Sequence, residues 1–562
     1  MQDYSSKQAE LHSKKQGDVM TEMKESEVEK LLKDNPHLKK YVDEITEKIG
    51  RPTFYSKVPR DVKNQEFPNL IYVTKGVVFI HIFKTKDMER PEYHAVVPEL
   101  TDKEKEKKEA IMELMYERAH FKTNIKTQDE LRKAIREVLE EITVIDENSA
   151  GKIEKNKGGK IKITSTEKMK IEYDITKDVV GGGPLEPFMR DPYIEDIHII
   201  TGENVHLIHK VFEMVKTNIH IDKSWANQFS QEFAEKIGSP VSEGQPIADG
   251  TLPDRSRVNI IHSKDVSLKG PTMTVRKFSE TPISITQLIN WGTIDAGIGA
   301  YLWLCLQYGR SIFVCGETAS GKTTTSNAMF VFIPPEKKIF SVENTPEIKV
   351  PHPVWQQLLT RSTGPKESHV DEGDLLRAGL RSRPDYIIPG ETRGVEGRVV
   401  FQAMQTGHPV VTTFHAGSVT KVIQRFTGHP INIPKTFMDN LDVVLIQMAV
   451  ERKGKRIRRV LSVDEIEGYN KEVDGIMSRK AFEWNAVDDT HIFKANRNSF
   501  ILEQRIAPMA GLQDPMKIYE EYDRRKHILE RMVEEKIFDY YEVVQFIWTF
   551  YREGIQGLPI SI

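Results

Sequence analysis

The sequence predicts an α/β protein whose C-terminal half is built on a parallel sheet, and three observations predict it. Apolar runs at 311–315, 338–342, 385–389, 409–414 and 443–448 are separated by helical stretches. They are continuous rather than alternating, as expected of strands buried on both faces. The octet Gly316-Glu317-Thr318-Ala319-Ser320-Gly321-Lys322-Thr323 joins the first of these strands to a helical pattern opening at Thr324. At 562 residues the chain exceeds a single core, so two to four domains are expected.

That octet has the G-x-x-x-x-G-K-[ST] spacing of a phosphate-binding loop, between the strand and the helix the motif needs. Gly316 and Gly321 let the backbone curl, so that the N–H groups of Glu317 to Thr324 and the helix N-terminus face a polyphosphate. Lys322 is placed to reach the β- and γ-phosphates, and the Thr323 hydroxyl to ligate Mg2+. The expected ligand is therefore a nucleoside triphosphate, ATP, with Mg2+.

Composition narrows the rest. The chain is 38% hydrophobic and 29% charged with a net charge of −3, which argues against a protein built to hold nucleic acid. Only Cys305 and Cys315 occur, both in apolar surroundings, so buried thiols in a reducing compartment are expected. No signal-peptide pattern and no uncharged apolar run of about 18 residues is present. The expected location is the cytoplasm, with membrane association only through a partner or a surface patch.

Taken in order, residues 1–26 are polar and expected to be mobile, and 27–50 carry helical spacing. Residues 72–82 read as a hairpin, 101–120 and 130–141 as charged helices, and 152–162 as a Lys/Gly-rich loop and linker. A mostly helical N-terminal region is thus expected over 1–165, and a smaller α/β module over 166–280. That module has strands at 194–200, 205–215 and 273–278 and a helix at 226–237. The C-terminal α/β domain covers 281–562. It opens with a capping box, Ser284 and Gln287, and a helix ended by Gly292; a second helix spans 293–308. Residues 455–467 read as a polar hairpin distal to the nucleotide. The tail from 516 is helical, with its aromatics at 538–551 read as core or interface.

A phosphate loop alone does not hydrolyse. Hydrolysis also needs an acid at the carboxyl end of a neighbouring strand for Mg2+ and a group that activates water. Glu391 follows the apolar strand at 385–389 and is assigned to Mg2+. Glu343 ends the strand at 338–342 and is assigned as the base. His415 falls at the carboxyl end of the strand at 409–414, where a γ-phosphate contact or a subunit contact would lie. His408 falls at its amino end; a structural role and a functional one are equally open for it.

These motifs resemble those of the secretion ATPase superfamily in order and residue type: Gly316 to Thr323, Val342-Glu343-Asn344-Thr345-Pro346-Glu347, Arg383 to Arg393, and Thr406-Gly407-His408 with Thr413-Phe414-His415-Ala416. Gly183 to Pro187, Asp191 to Ile197 and Leu252 to Asn259 resemble the module preceding the motor. The resemblance spans about 174–463 and is nearest the archaellum (archaeal flagellum) motor ATPases. It implies a RecA-like motor domain, a homo-hexameric ring, a polytopic membrane platform and other cytoplasmic motor components as partners, and a position at the inner face of the membrane. It also implies that arginines of the preceding module, at positions Arg255, Arg257 and Arg276, complete the nucleotide site. One departure is Asn344, where the superfamily usually has aspartate. A filament-assembly motor is the leading expectation, with type IV pilus or secretion assembly as the alternative. A RecA-like nucleic-acid translocase using the Arg452 to Arg459 cluster is the third reading.

Overall fold

Strands from both sides of residue 165 share one ten-stranded sheet. The computed structural model describes residues 22–561 apart from 60–61, 63–64, 75, 119–127, 181, 253, 278–280, 362–365 and 453–454. It divides into two units, Met1–Phe278 and Ser279–Ile562. The expectation of mobility falls mostly on 1–21, outside the described residues; Glu22 bridges Tyr55, and a helix begins at Glu25.

In the first unit, helices α1 (Glu25–Asp34) and α2 (Pro36–Ile49) precede strands β1 (Thr53–Tyr55), β2 (Asn69–Val73), β3 (Phe79–Phe83) and β4 (Glu92–Val96). Helices α3 (Asp102–Arg118) and α4 (Gln128–Ile142), the short pair β5 (Thr143–Ile145) and β6 (Ile161–Ile163), and α5 (Ser165–Val179) follow. Then come β7 (Ile194–Ile200), β8 (Asn204–His209), β9 (Glu213–His220), α6 (Lys223–Lys236), β10 (Ile247–Thr251), β11 (Arg257–Ile261) and β12 (Thr272–Arg276). The sheet order is β1-β2-β3-β4-β9-β8-β7-β12-β11-β10. The parallel pairing of β4 with β9 matches Glu92 to Lys216 and Tyr93 to Thr217. That pairing satisfies a strand edge that would otherwise stand open, so strands of the N-terminal region and of the following module share one sheet, while helices α1 to α4 make up most of the regular structure before residue 165. One core, from Leu70, Tyr72 and Ile80 to Leu207, Val258 and Val275, runs along this sheet. A smaller core gathers α3, α4 and α5 around Ile111, Leu139 and Ile171. It encloses the buried Lys107–Glu167 pair at 2.8 Å.

The second unit follows the predicted alternation. Helix α7 (Ala296–Gln307) leads to β13 (Ile312–Gly316), α8 (Lys322–Met329), β14 (Ile339–Glu343), β15 (Trp355–Leu359), α9 (Glu372–Arg381), β16 (Tyr386–Pro389), β17 (Glu391–Thr392), α10 (Gly397–Gln405) and β18 (Val411–Phe414). The strands β19 (Val443–Arg452), β20 (Lys455–Asn470), β21 (Gly475–Asn485) and β22 (Thr490–Phe493) complete the sheet, and α11 (Ile518–Glu534) and α12 (Tyr540–Glu553) form the tail. A parallel bridge from Ile387 to Val410 joins β15-β14-β16 to β18-β13-β19. Strand β13 therefore lies between β18 and β19, parallel to both, with β16 one place further out. This is a RecA-like α/β domain. It brings the carboxyl ends of β13, β14, β16 and β18 to one edge, where ligands of open α/β sheets bind. The tail is core: Tyr540, Val543, Phe546 and Ile547 join the cluster holding Trp303 and Phe332. Both cysteines are buried free thiols. Among the described residues no helix is long and apolar enough to cross a membrane.

Candidate functional site

The loop after β13 keeps the shape its glycines predict. A Cβ on Gly316 would lie 2.0 Å from the Gln447 carbonyl oxygen, so only glycine fits there. Gly321, at φ 95°, caps α8 in the left-handed region that favours glycine. It offers no side-chain cap, which leaves the first N–H groups of α8 facing the loop. The Lys322 ammonium donates to the carbonyls of Gly316 at 3.2 Å and Glu317 at 3.0 Å. Burial lowers its pKa, with Glu391 opposing that shift.

A chain of contacts runs from Lys322 across the strand ends. His415 Nδ1 lies 3.5 Å from Lys322 Nζ, and His415 Nε2 lies 2.6 Å from Glu391 Oε1. An ammonium can only donate, so Nδ1 is the acceptor and Nε2 carries the hydrogen. Burial, then the Lys322 charge, lower the His415 pKa and keep the ring neutral near pH 7. Glu391 Oε2 accepts from Arg393 Nε at 2.8 Å. Glu391 Oε1 is buried and accepts no aligned hydrogen bond among the described residues. That oxygen and the Thr323 hydroxyl, in the first turn of α8, are hard donors of the type Mg2+ takes. Among the described residues no cluster of three His, Cys, Asp or Glu could hold an ion unaided. The residues thus fit a Mg2+ ion whose other ligands are phosphate and water.

Glu343 is only 2% exposed. Its Oε1 accepts from the Glu347 and Ile348 N–H groups at 2.7 and 2.6 Å, and its Oε2 from Gln357 Nε2 at 3.0 Å. Burial nonetheless outweighs these bonds and raises its pKa to about 7. The loop after Glu343 docks on α8 through Asn327, which donates to the Glu347 carbonyl and accepts from Lys349 N–H, both at 2.9 Å. Gly390 packs on Glu343: a Cβ there would meet its Cγ at 3.1 Å. Asn344 accepts from the Thr360 hydroxyl at 2.7 Å, a role that needs no acid.

Other assigned residues lie elsewhere. His408 precedes β18, at the end opposite His415, with Nδ1 3.0 Å from the Thr406 hydroxyl. The structure does not bring it to the phosphate loop. Arg255, Arg257 and Arg276 belong to the first unit. Arg257 and Arg276 are direct partners across β11 and β12, and Arg276 donates from Nε to Asp196 at 3.1 Å. Arg255 takes φ 70° in the turn before β11. The expectation of a hairpin distal to the nucleotide is corrected. Strand β20 pairs along β19, the direct neighbour of β13, and so Arg458 Nε donates to the Ala319 carbonyl at 3.2 Å. Arg459 is turned the other way and pairs with Asp489 at 2.8 Å. Sequence reasoning missed Asn327, Gln357 and Gln447, which carry no local signal, and it noted Arg393 and Arg458 only within the Arg383 to Arg393 motif and the Arg452 to Arg459 cluster without placing them at the nucleotide.

Comparison with known proteins adds the following. The family model described as type II/IV secretion system protein matches residues 181–527. The chain is similar to an uncharacterized protein of Methanocaldococcus jannaschii, 49% identical over 552 residues that cover 96% of this chain and 99% of that one. It is similar to the type IV secretion system protein VirB11 of Bartonella henselae, 28% identical over 33% of this chain and 62% of VirB11. Among solved structures, it is similar to the Legionella pneumophila ATPase DotB, 20% identical with a TM-score of 0.38, over 67% of this chain and 92% of DotB.

Proposed function

The chain belongs to the type II/IV secretion system protein family, and from that premise we propose that it hydrolyses ATP to power a surface-filament or secretion machine. The observation that carries this reading is the contact chain Lys322–His415–Glu391 at the phosphate loop, with Glu343 buried beside Gly390. Lys322 and the N–H groups of α8 bind the phosphates. Water attacks the γ-phosphorus, the bond to the β–γ bridging oxygen breaks, and Glu343 takes the water's proton. A base with a pKa near 7 suits that role at neutral pH. Mg2+, held by Thr323 and by Glu391 through water, would neutralise phosphate charge. His415, neutral and between Lys322 and Glu391, reports the state of the γ-phosphate to β18.

We further infer a homo-hexamer in which Arg257 and Arg276 reach the phosphates, with Arg255 beside them. Arg257 and Arg276 stand directly opposite each other, with Asp196 holding Arg276 by its Nε, so a rigid pair of strands can aim both guanidinium groups at one anion. The ring would act at the inner face of the membrane on a polytopic platform protein, with other cytoplasmic motor components, and archaellum assembly or rotation is the leading role. The similarity to VirB11 keeps pilus or secretion assembly as the second reading. Nucleic-acid translocation is disfavoured, because Arg458 and Arg459 are engaged by the Ala319 carbonyl and Asp489. The test is deletion of the gene in its own organism, complemented with wild type or Lys322→Ala. Loss of one filament type, restored only by wild type, is expected; normal filaments and secretion in the deletion would overturn the reading.

A further inference from the structure

The β19–β20 pair reaches the phosphate loop from outside every motif of the site. Its register shifts at Ile446 and Gln447: Ile446 faces Ser462, whereas Gln447 faces Val460. The extra residue, Leu461, lies on β20, and a bulge of this kind re-aims the side chains beyond it, here bringing Arg458, opposite Ala449, to the face of Gln447. Gln447 is 1% exposed, and its Nε2 donates to the Ser320 carbonyl at 3.0 Å. Its Oε1 is buried with no partner among the described residues. On the next strand Arg458 donates to the Ala319 carbonyl, and its Cδ lies 3.0 Å from where a Cβ on Gly321 would stand.

From this geometry we infer that Gln447 and Arg458 are positioning residues that clamp the phosphate loop in its anion-binding shape. The inference rests on the nucleotide reading above. In a trans peptide the C=O and N–H point in opposite directions. Holding the Ser320 carbonyl on the Gln447 side turns the Gly321 N–H to the other side, into the cradle where a β-phosphate sits. Holding the Ala319 carbonyl likewise orients the Ser320 N–H, which donates to the Glu317 carbonyl at 3.3 Å and closes the loop's tight turn. Ala319 needs such support: its φ is 60°, a left-handed value that a non-glycine residue keeps only when its surroundings impose it. Gln447 and Arg458 touch no phosphate oxygen in this scheme. They act through backbone groups that do.

The scheme predicts a selective loss. Gln447→Leu keeps the volume and removes the donor; Arg458→Met does the same at an exposed position where folding is not at stake. Both should weaken ADP binding by about tenfold, the worth of the one lost hydrogen bond to a loop carbonyl in each. Adenosine, which has no phosphate for the loop to hold, should bind each variant as it binds wild type. Arg458→Lys, which retains a donor, should recover most of the loss. Fluorescence titration of the full chain with ADP and with adenosine, beside thermal melts without nucleotide, reads this out. Equal ADP affinity in wild type, Gln447→Leu and Arg458→Met would overturn the clamp and leave the nucleotide reading standing. Equal losses for ADP and adenosine would also overturn it, by showing a general structural defect. Absence of ADP binding to wild type would remove the nucleotide reading, and the clamp with it.

Discussion

Replacing Glu343 by glutamine should stabilise the protein and slow it at the same pH. Burial raises the Glu343 pKa from 4.5 to about 7, about 2.5 pH units, worth about 3 kcal/mol at 1.36 kcal/mol per unit. The folded chain holds this proton more tightly than the unfolded one. The group's contribution is therefore fully present below about pH 4.5 and is lost as pH rises to about 7. Above that, wild type carries a buried charge that the glutamine variant does not. Glutamine keeps the acceptor for the Glu347 and Ile348 N–H groups but presents an NH2 to Gln357, which gives back about 1 kcal/mol. About 2 kcal/mol remains, or about 4 °C in melting temperature for a unit of this size. Melts of both proteins from about pH 5 to about pH 8.5 should show the variant's advantage growing from near zero to that value. Turnover should fall by roughly 10²–10⁴-fold, the range for a removed acid–base group. A melting difference independent of pH would refute the desolvation argument, and undiminished turnover would refute the base.

Three further outcomes concern the arginines of the first unit and the ring. Arg257→Ala and Arg276→Ala should each lower kcat on the order of 10²-fold with KM nearly unchanged, since a finger acts on charge developing in the transition state; a change in KM alone would remove the assignment. Mixed with Lys322→Ala chains, and with subunit exchange shown by fluorescence transfer, Arg276→Ala should regain partial activity if the arginine acts between chains. A non-hydrolysable ATP analogue should shift light scattering from smaller species to a ring of six; a fully active monomer would contradict that.

Much of the second unit was legible because its signals are local. The octet from Gly316 to Thr323 carries its own turn chemistry, and the apolar runs at 311–315 and 385–389 mark strands within a residue or two of β13 and β16. Ser284 caps its helix by accepting from Gln287 N–H, one half of the capping box its spacing predicts. The first unit hid more, because the β4–β9 pairing joins strands remote in sequence and leaves no periodic trace. Strand β20 misled for a related reason. Its polar, arginine-rich composition is that of a solvated hairpin, whereas pairing with β19 carries Arg458 to Ala319. Gln447 continues the face of Val443 and Leu445 in an apolar run that ends at Met448, and its bond to Ser320 comes from the curl of the loop beside β19, which leaves no signal in the sequence.

Hydrolysis at the phosphate loop is read most directly as phosphate release by the purified full chain. With ATP and Mg2+ the wild type should release phosphate, and chelation of the metal should stop it. Lys322→Ala, which removes the cation held at the Gly316 and Glu317 carbonyls, should release none above the spontaneous rate. Equal release by wild type and Lys322→Ala, or release that survives chelation undiminished, would contradict hydrolysis at this loop.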